Sequence, residues 1–410
     1  MSKADERGEH TRAVHLPPPP RVEQEPLGMP VWRTSTFGFD TSQEYADVLG
    51  GTAPGYTYTR VANPTVDAFA SAVASLEADP ALGTEQDVSA DAFASGMAAI
   101  SAVLLTFTGA GTHVVAPAGC YGGTWSLLET VLARFGVETT FVDGADPSAY
   151  AAAVRPMTRL LWAETLTNPT MVVADLPALA EVAHDSGALL AVDSTFASPA
   201  VCRPLGWGAD LVVHSATKYL GGHSDATGGV VVGRSELVRA VRATRIETGG
   251  ILAPDEAFML RRGLATLPLR MEQHCRNALL VAHALAAHPA VERVDYPGLP
   301  GHAGHHLARR LFLPGQSGPR FGAVVWVVPR GGRDAGMRFA EKVSLPSTGA
   351  SLGGTHTLVG HAASTTHRQL NEAALVAAGI DPGGVRVSVG IEDADDLVVD
   401  LLHALDTLPA

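Results

Sequence analysis

The sequence predicts an α/β protein: a mostly parallel central sheet covered on both faces, followed by a smaller α+β region. Three observations point there. Short apolar runs alternate with Ala- and Leu-rich amphipathic stretches from about residue 61 to 255, the pattern of strands joined by helical crossovers. Beyond 255 the texture changes to one long helical pattern and then separated strands. The chain has 410 residues, 46% of them hydrophobic and 17% charged, enough for two cores rather than one.

Each element has a local reason. Residues 1–60 read as an extended arm, because Pro17 to Pro20 forbid regular structure and Gly50, Gly51, Pro54 and Gly55 punctuate a loop. Helical patterns cover 65–78, 96–107, 123–135 and 175–186. Between them lie the strand candidates HVVAP (113–117), TRLLWAE (158–164), ALLAVDS (188–194), DLVVHS (210–215) and GGVVVG (228–233). The second region, 256–410, opens on a helical pattern over 255–288. It continues with an alternating strand at 321–328, a Gly- and Ser-rich loop at 347–354 and a strand at 384–389.

A formal net charge of −13 argues against general binding to nucleic acid or anionic membranes, and its plain meaning is solubility. Cys120, Cys202 and Cys275 form an odd, sparse set without CxxC spacing, which fits a reducing compartment. The start MSKADERGEHTRAVHLPPPP has no apolar signal core, and no run approaches the roughly 20 apolar residues of a membrane span. A cytoplasmic protein is expected.

In open parallel sheets, ligands bind beyond the carboxyl ends of the strands. The polar residues that directly follow apolar runs are Glu164, Asn168, Asp193, His214, Ser215, Thr217 and Lys218, and all are expected on one rim. Alone, Asp193 reads equally as a turn cap and Lys218 as a solvated end charge; together they suggest a site. Ser95-Gly96-Met97 opens an apolar helix and reads as an ordinary N-cap or as an anion site. Tyr121, in CYGGT, suits either a core or a flat ligand, and Tyr58 and Arg60 suit either a phosphate or the surface. HAGHH (302–306) lacks an acidic or Cys partner and reads as structural, so no metal is expected. Cys120 has no paired base nearby.

One cofactor would use all these pieces. Pyridoxal 5'-phosphate needs a lysine for its aldehyde, a carboxylate for its ring nitrogen, a stacking aromatic ring and an anion site. The motifs YTRVANPT (58–65), SGMAA (95–99), YGGT (121–124), ETLTNP (164–169), VDSTFASP (192–199), SATKYLGGHSD (215–225), RRGLATLPLRMEQH (261–274), SLGG (351–354) and VRVSVGIED (385–393) span nearly the whole chain beyond residue 50. In this order the chain resembles the Cys/Met-metabolism (transsulfuration) family of pyridoxal-phosphate enzymes. That family includes cystathionine γ-lyase, cystathionine γ-synthase, methionine γ-lyase and the homoserine-ester sulfhydrylases.

The resemblance implies fold type I, aspartate-aminotransferase-like, with 61–255 as the cofactor-binding domain. It implies that Lys218 holds the cofactor and moves protons, Asp193 pairs with the ring nitrogen, and Tyr121 stacks on the ring and helps protonate the leaving group. Gly96, Met97, Ser215 and Thr217 would hold the phosphate, with Tyr58 and Arg60 reaching that of a neighbouring subunit. Asn168 would touch the phenolic oxygen, and Arg386, with Ser351 and Asn168, would clamp the substrate carboxylate. A homotetramer, a dimer of dimers with shared sites, is implied.

The implied reaction is γ-elimination on a methionine- or cystathionine-type L-amino acid, giving a 2-oxo acid, ammonia and a thiol. The alternative is γ-replacement on an O-acyl-homoserine. A third reading, a non-catalytic relative, is opposed by intact Lys218, Asp193, Tyr121 and Arg386. The chain departs from the family at Gly123, where methionine γ-lyases carry cysteine, and at Ser126, where cystathionine enzymes carry arginine. It departs again at His356, where they carry glutamate. Trp125 and His356 therefore point to a different or less charged γ substituent.

Overall fold

The computed structural model describes residues 26–78, 87–316, 318–365, 368, 375 and 379–408; the proline run Pro17–Pro20 lies outside them. After the helix α1 (Ser42–Leu49), α2 (Pro64–Glu77) starts on Asn63, whose side chain accepts from the Thr65 N–H, with Pro64 at the first turn. Then come β1 (Val88–Phe93), α3 (Gly96–Phe107), β2 (His113–Pro117), α4 (Gly122–Ser126), β3 (Glu138–Val142), α5 (Pro147–Ala153), β4 (Thr158–Glu164), α6 (Leu176–Asp185), β5 (Leu189–Asp193), β6 (Leu211–Ser215), β7 (Gly229–Arg234) and α7 (Ser235–Thr248).

These seven strands form one sheet in the order β1-β7-β6-β5-β4-β2-β3. It is parallel except for β7, which runs antiparallel to both neighbours. The reason lies in the connection. Only the loop 216–228 separates β6 from β7, with no helix to carry the chain back for a parallel strand. The lysine loop is therefore a return loop on the carboxyl rim.

The apolar runs fill both faces by period-2 alternation. Val114, Leu160, Trp162, Ala191, Leu211, Val213 and Val231 share a core with Ile100 and Val103 of α3. Val115, Leu161, Leu190, Val192, Val212 and Val230 share the opposite core with Val66 and Phe69 of α2.

The chain continues with α8 (Pro254–Leu264), α9 (Leu267–Ala286), β8 (Val291–Asp295), α10 (His305–Leu311), a short ribbon of β9 (Pro314–Gly315) and β10 (Gly318–Pro319), β11 (Val324–Pro329), α11 (Gly332–Lys342), β12 (Ser347–Thr348), β13 (Leu358–His361), β14 (Val385–Ser388) and α12 (Ala394–Asp406). A second sheet has the order β12-β13-β14-β11-β8.

Two helical expectations change. The pattern over 255–288 is two helices, because Pro268 cannot donate inside a helix and takes a place in the first turn of α9. The pattern over 123–135 is α4 followed by a π turn (Leu127–Val131) and a 3-10 turn (Leu132–Phe135), which bury Leu128 and Leu132. Among the described residues, no helix is long and apolar enough to cross a membrane.

Candidate active site

Alternation decides which strand-end residues meet. Glu164, Asp193 and Ser215 share the parity of Trp162, Ala191 and Val213, so they project on the side of α3. His214 has the opposite parity. It is buried under the sheet and bonds Glu77 of α2 at 2.6 Å, which corrects the expectation that it sits on the rim with the others.

A cavity of about 370 Å³ opens at that rim. Gly96, Met97, Tyr121, Asn168, Asp193, Ser215, Thr217, Lys218, Ser351 and Arg386 all line it. The start of α3 packs directly on the end of β6: a Cβ at Gly96 would lie 2.7 Å from Ser215 Cβ, so only glycine lets the helix start come this close. Ser95 caps α3 by accepting from the Ala98 N–H at 3.1 Å. The positive end of the helix and the Ser215 and Thr217 side chains share one corner of the cavity, a corner whose charge and donors suit an anion.

Lys218 and Arg386 converge on one residue. Lys218 Nζ donates to Ser351 Oγ at 2.6 Å, and Arg386 donates to the Ser351 carbonyl at 2.7 Å and to Asn168 Oδ1 at 3.1 Å. Ser351 holds this place at φ +83°, in the region that disfavours L side chains, a local strain of about 1–3 kcal/mol. Burial, and then the Arg386 charge, lower the Lys218 amine to about 8. Burial also lowers the Arg386 guanidinium.

Asp193 Oδ1 accepts the Thr195 N–H at 2.9 Å, and burial raises its carboxyl. Glu164 is its partner across the β4–β5 ladder. Burial, and then Asp193, raise the Glu164 carboxyl, while N–H donors from Tyr121 and Asn168 favour its ionised form. The Tyr121 ring lies half-exposed at the cavity. A Cβ at Gly123 would stand 2.6 Å from that ring, so glycine leaves the ring its room.

The remaining predicted residues lie elsewhere. Tyr58 and Arg60 do not line this cavity; Arg60 lies 5.7 Å over the Tyr58 ring and donates to the Ile246 carbonyl. His356 is exposed and lines an adjoining cavity with Ser224, Asp225 and Glu256, which shares Thr217 and Ser351 with the first. Trp125 stacks on Phe141 and is absent from both linings. His223 bonds the Gly221 carbonyl, and His305 that of Pro297. Burial lifts the Cys120 thiol far above its ordinary range. Sequence reasoning gave no role to Glu164 or Thr195; Thr195 bonds both Asp193 and the Ser215 N–H, and its place two residues beyond a strand-end aspartate was the available signal.

An amine, a buried carboxylate, an aromatic ring and an anion corner around one cavity suit an aldehyde cofactor with a phosphate. The profile of the Cys/Met metabolism PLP-dependent enzymes matches residues 10–406. The chain belongs to this pyridoxal-phosphate-dependent family. Its relatives within the Cys/Met-metabolism family differ in activity. An L-methionine gamma-lyase of Porphyromonas gingivalis is 42% identical over 93% of either chain. An O-succinylhomoserine sulfhydrylase of Pseudomonas aeruginosa is 42% identical over 95% of this chain and 93% of its own. A solved structure of a putative O-acetylhomoserine (thiol)-lyase from Campylobacter jejuni, carrying N'-pyridoxyl-lysine-5'-monophosphate, superposes with a TM-score of 0.86. It is 28% identical, with 93% of this chain and 95% of that chain covered. The fold is that of a type I pyridoxal-phosphate enzyme.

Proposed function

We propose that this enzyme performs γ-elimination on a sulfur-containing L-amino acid, releasing a thiol, a 2-oxo acid and ammonia. The observation that carries the reading is the convergence of a lowered amine and a buried guanidinium on Ser351, in a cavity whose wall also carries apolar side chains. Among the described residues, the cations lining the cavity are Lys218 and Arg386; Met97, Ile100, Leu166, Phe196 and Leu352 supply apolar surface. One guanidinium suits one carboxylate, and an apolar wall suits a thioether better than a second charged end. The 42% identity to a methionine gamma-lyase supports the same choice.

Pyridoxal phosphate, when bound, supplies an electron sink for charge developing at the substrate Cα. The chain supplies the rest. Gly96, Met97, Ser215 and Thr217 would hold the phosphate, Asp193 would keep the ring nitrogen protonated, and Asn168 would contact the phenolic oxygen. Arg386 orients the substrate carboxylate. Lys218 Nζ, neutral above about 8, would take the proton from Cα and, once it has passed that proton on and is neutral again, the proton from Cβ. Tyr121, which lines the cavity, would protonate the departing sulfur through its hydroxyl.

Tyr58 and Arg60, outside this cavity, would serve the site of a second copy in a dimer that pairs into a tetramer, carried by a segment that is not extended throughout as expected, since Ser42–Leu49 is helical. The seven-stranded sheet falls in the proposed cofactor domain, 61–255, and the five-stranded sheet in the proposed domain 256–410. Three unpaired buried thiols support a cytoplasmic site of action.

A second reading, γ-replacement on an O-acyl-homoserine, is favoured by the 42% identity to an O-succinylhomoserine sulfhydrylase. The test is release of 2-oxo acid and ammonia from methionine, cystathionine and O-acyl-homoserines, with and without added thiol. Release from methionine without thiol is expected. Turnover confined to an ester plus thiol would establish the second reading, and faster turnover of cystathionine than of methionine would remove the preference for an uncharged γ substituent.

A further inference from the structure

Glu164 takes no part in the roles above, yet it lines the same cavity and is only 4% exposed. Its oxygens are divided between two segments: Oε1 accepts the Tyr121 N–H at 2.6 Å, and Oε2 accepts the Asn168 N–H at 3.2 Å. Tyr121 sits in the loop after β2, and Asn168 in the turn after β4. The Asn168 side-chain oxygen accepts from Arg386 at 3.1 Å. A continuous path thus runs along the cavity wall, from the Tyr121 backbone through Glu164 and Asn168 to Arg386.

Packing does not ask for an acid there. Asp193 has Glu164 on one flank and Val213 on the other, so an apolar residue serves at the equivalent place. A buried carboxylate beside another carboxylate costs several kcal/mol unless hydrogen bonds compensate. The compensating donors here are the backbone of the residue that carries the ring and the backbone of the residue that braces Arg386.

We propose that Glu164 is a positioning residue whose two carboxylate oxygens lock the Tyr121 loop and the Asn168 turn into one unit. The ring beside the cofactor and the brace of the substrate clamp therefore keep a fixed spacing. The geometry stands on two hydrogen bonds; the consequence for chemistry rests on the cofactor reading above.

The full chain, with and without pyridoxal phosphate, is compared with Glu164→Gln and Glu164→Asp. Glutamine keeps the shape but presents one acceptor and turns an N–H₂ toward an N–H. Amide hydrogen exchange at Tyr121 or Asn168 is expected to accelerate about 10- to 100-fold in Glu164→Gln, as for loss of one bond to a charged group. Amides of Leu160–Trp162 should keep their protection. Glu164→Asp, with both oxygens, should lose less. In the cofactor-loaded enzyme kcat should fall about tenfold in Glu164→Gln with a smaller change in KM. Unchanged exchange at both amides, or equal loss along all of β4, would overturn the proposal. Failure of the unmutated chain to take up cofactor would sink the cofactor reading instead, and the amide comparison would still decide the role of Glu164.

Discussion

Lys218 differs from an ordinary surface lysine through its surroundings. It is partly buried, it faces the Arg386 charge, and its nearest bonding partner is a neutral hydroxyl, Ser351 Oγ. Both burial and Arg386 disfavour the cation, so the amine is neutral above about 8 rather than above 10.5. The sign follows: below that pH the protonated amine cannot attack an aldehyde, and reactivity appears as pH rises. The rate of covalent uptake of pyridoxal phosphate by the free chain, followed by absorbance, should therefore climb through a midpoint near 8. Arg386→Gln should move the midpoint upward. A midpoint at the ordinary lysine value would refute this account of the site.

At the scale of elements, α7 does what β1 and the arm cannot do alone. Arg245 is almost fully buried; its Nε donates to Asp91 of β1 at 2.6 Å, and its two other nitrogens donate to the carbonyls of Arg60 and Val61 at 2.9 Å. Arg242, one turn earlier, joins Asp91 to Asp67 of α2. The segment that presents Tyr58 and Arg60 is thus pinned through its backbone by a helix far along the chain. Breaking a buried pair by removing one partner is expensive. Arg245→Ala should lower unfolding free energy by about 3 kcal/mol, read as a shift of the urea midpoint without a change in slope. A shift below about 0.5 kcal/mol would show that Arg242 alone satisfies Asp91.

At the scale of the molecule, the cavity is lined by Lys218, Asp193 and the start of α3 from one chain, whereas Tyr58 and Arg60 do not line it. A closed two-fold assembly would give each site one set from either copy. Chains carrying Arg60→Ala and chains carrying Lys218→Ala should each be nearly inactive. Refolded together, they should regain activity, because mixed dimers contain one site with both residues intact. No recovery on mixing, with mixed dimers shown to form, would confine Arg60 to its own chain.

Much of this was legible in the sequence because it rests on local order. A polar residue that ends an apolar run must leave a strand at its carboxyl end, which is why Asp193 and Lys218 could be assigned to one rim. Motif order then indicated the family and its cofactor. Other features depended on spacing in three dimensions. His214 lies one residue from Ser215, yet strand parity sends it to Glu77 beneath the sheet. Trp125 follows Thr124 in a motif, yet its ring leaves the cavity for Phe141. The lowered amine of Lys218 required burial and the distant Arg386, and the bridge made by Glu164 required a partner 43 residues away in sequence. Composition and periodicity determined the α/β sheet, the helix starts and the list of reactive groups, since each depends on neighbours within a turn or a strand. Only the tertiary structure decided which of those groups face one another, because burial, charge proximity and shared acceptors arise when distant segments close on a single cavity.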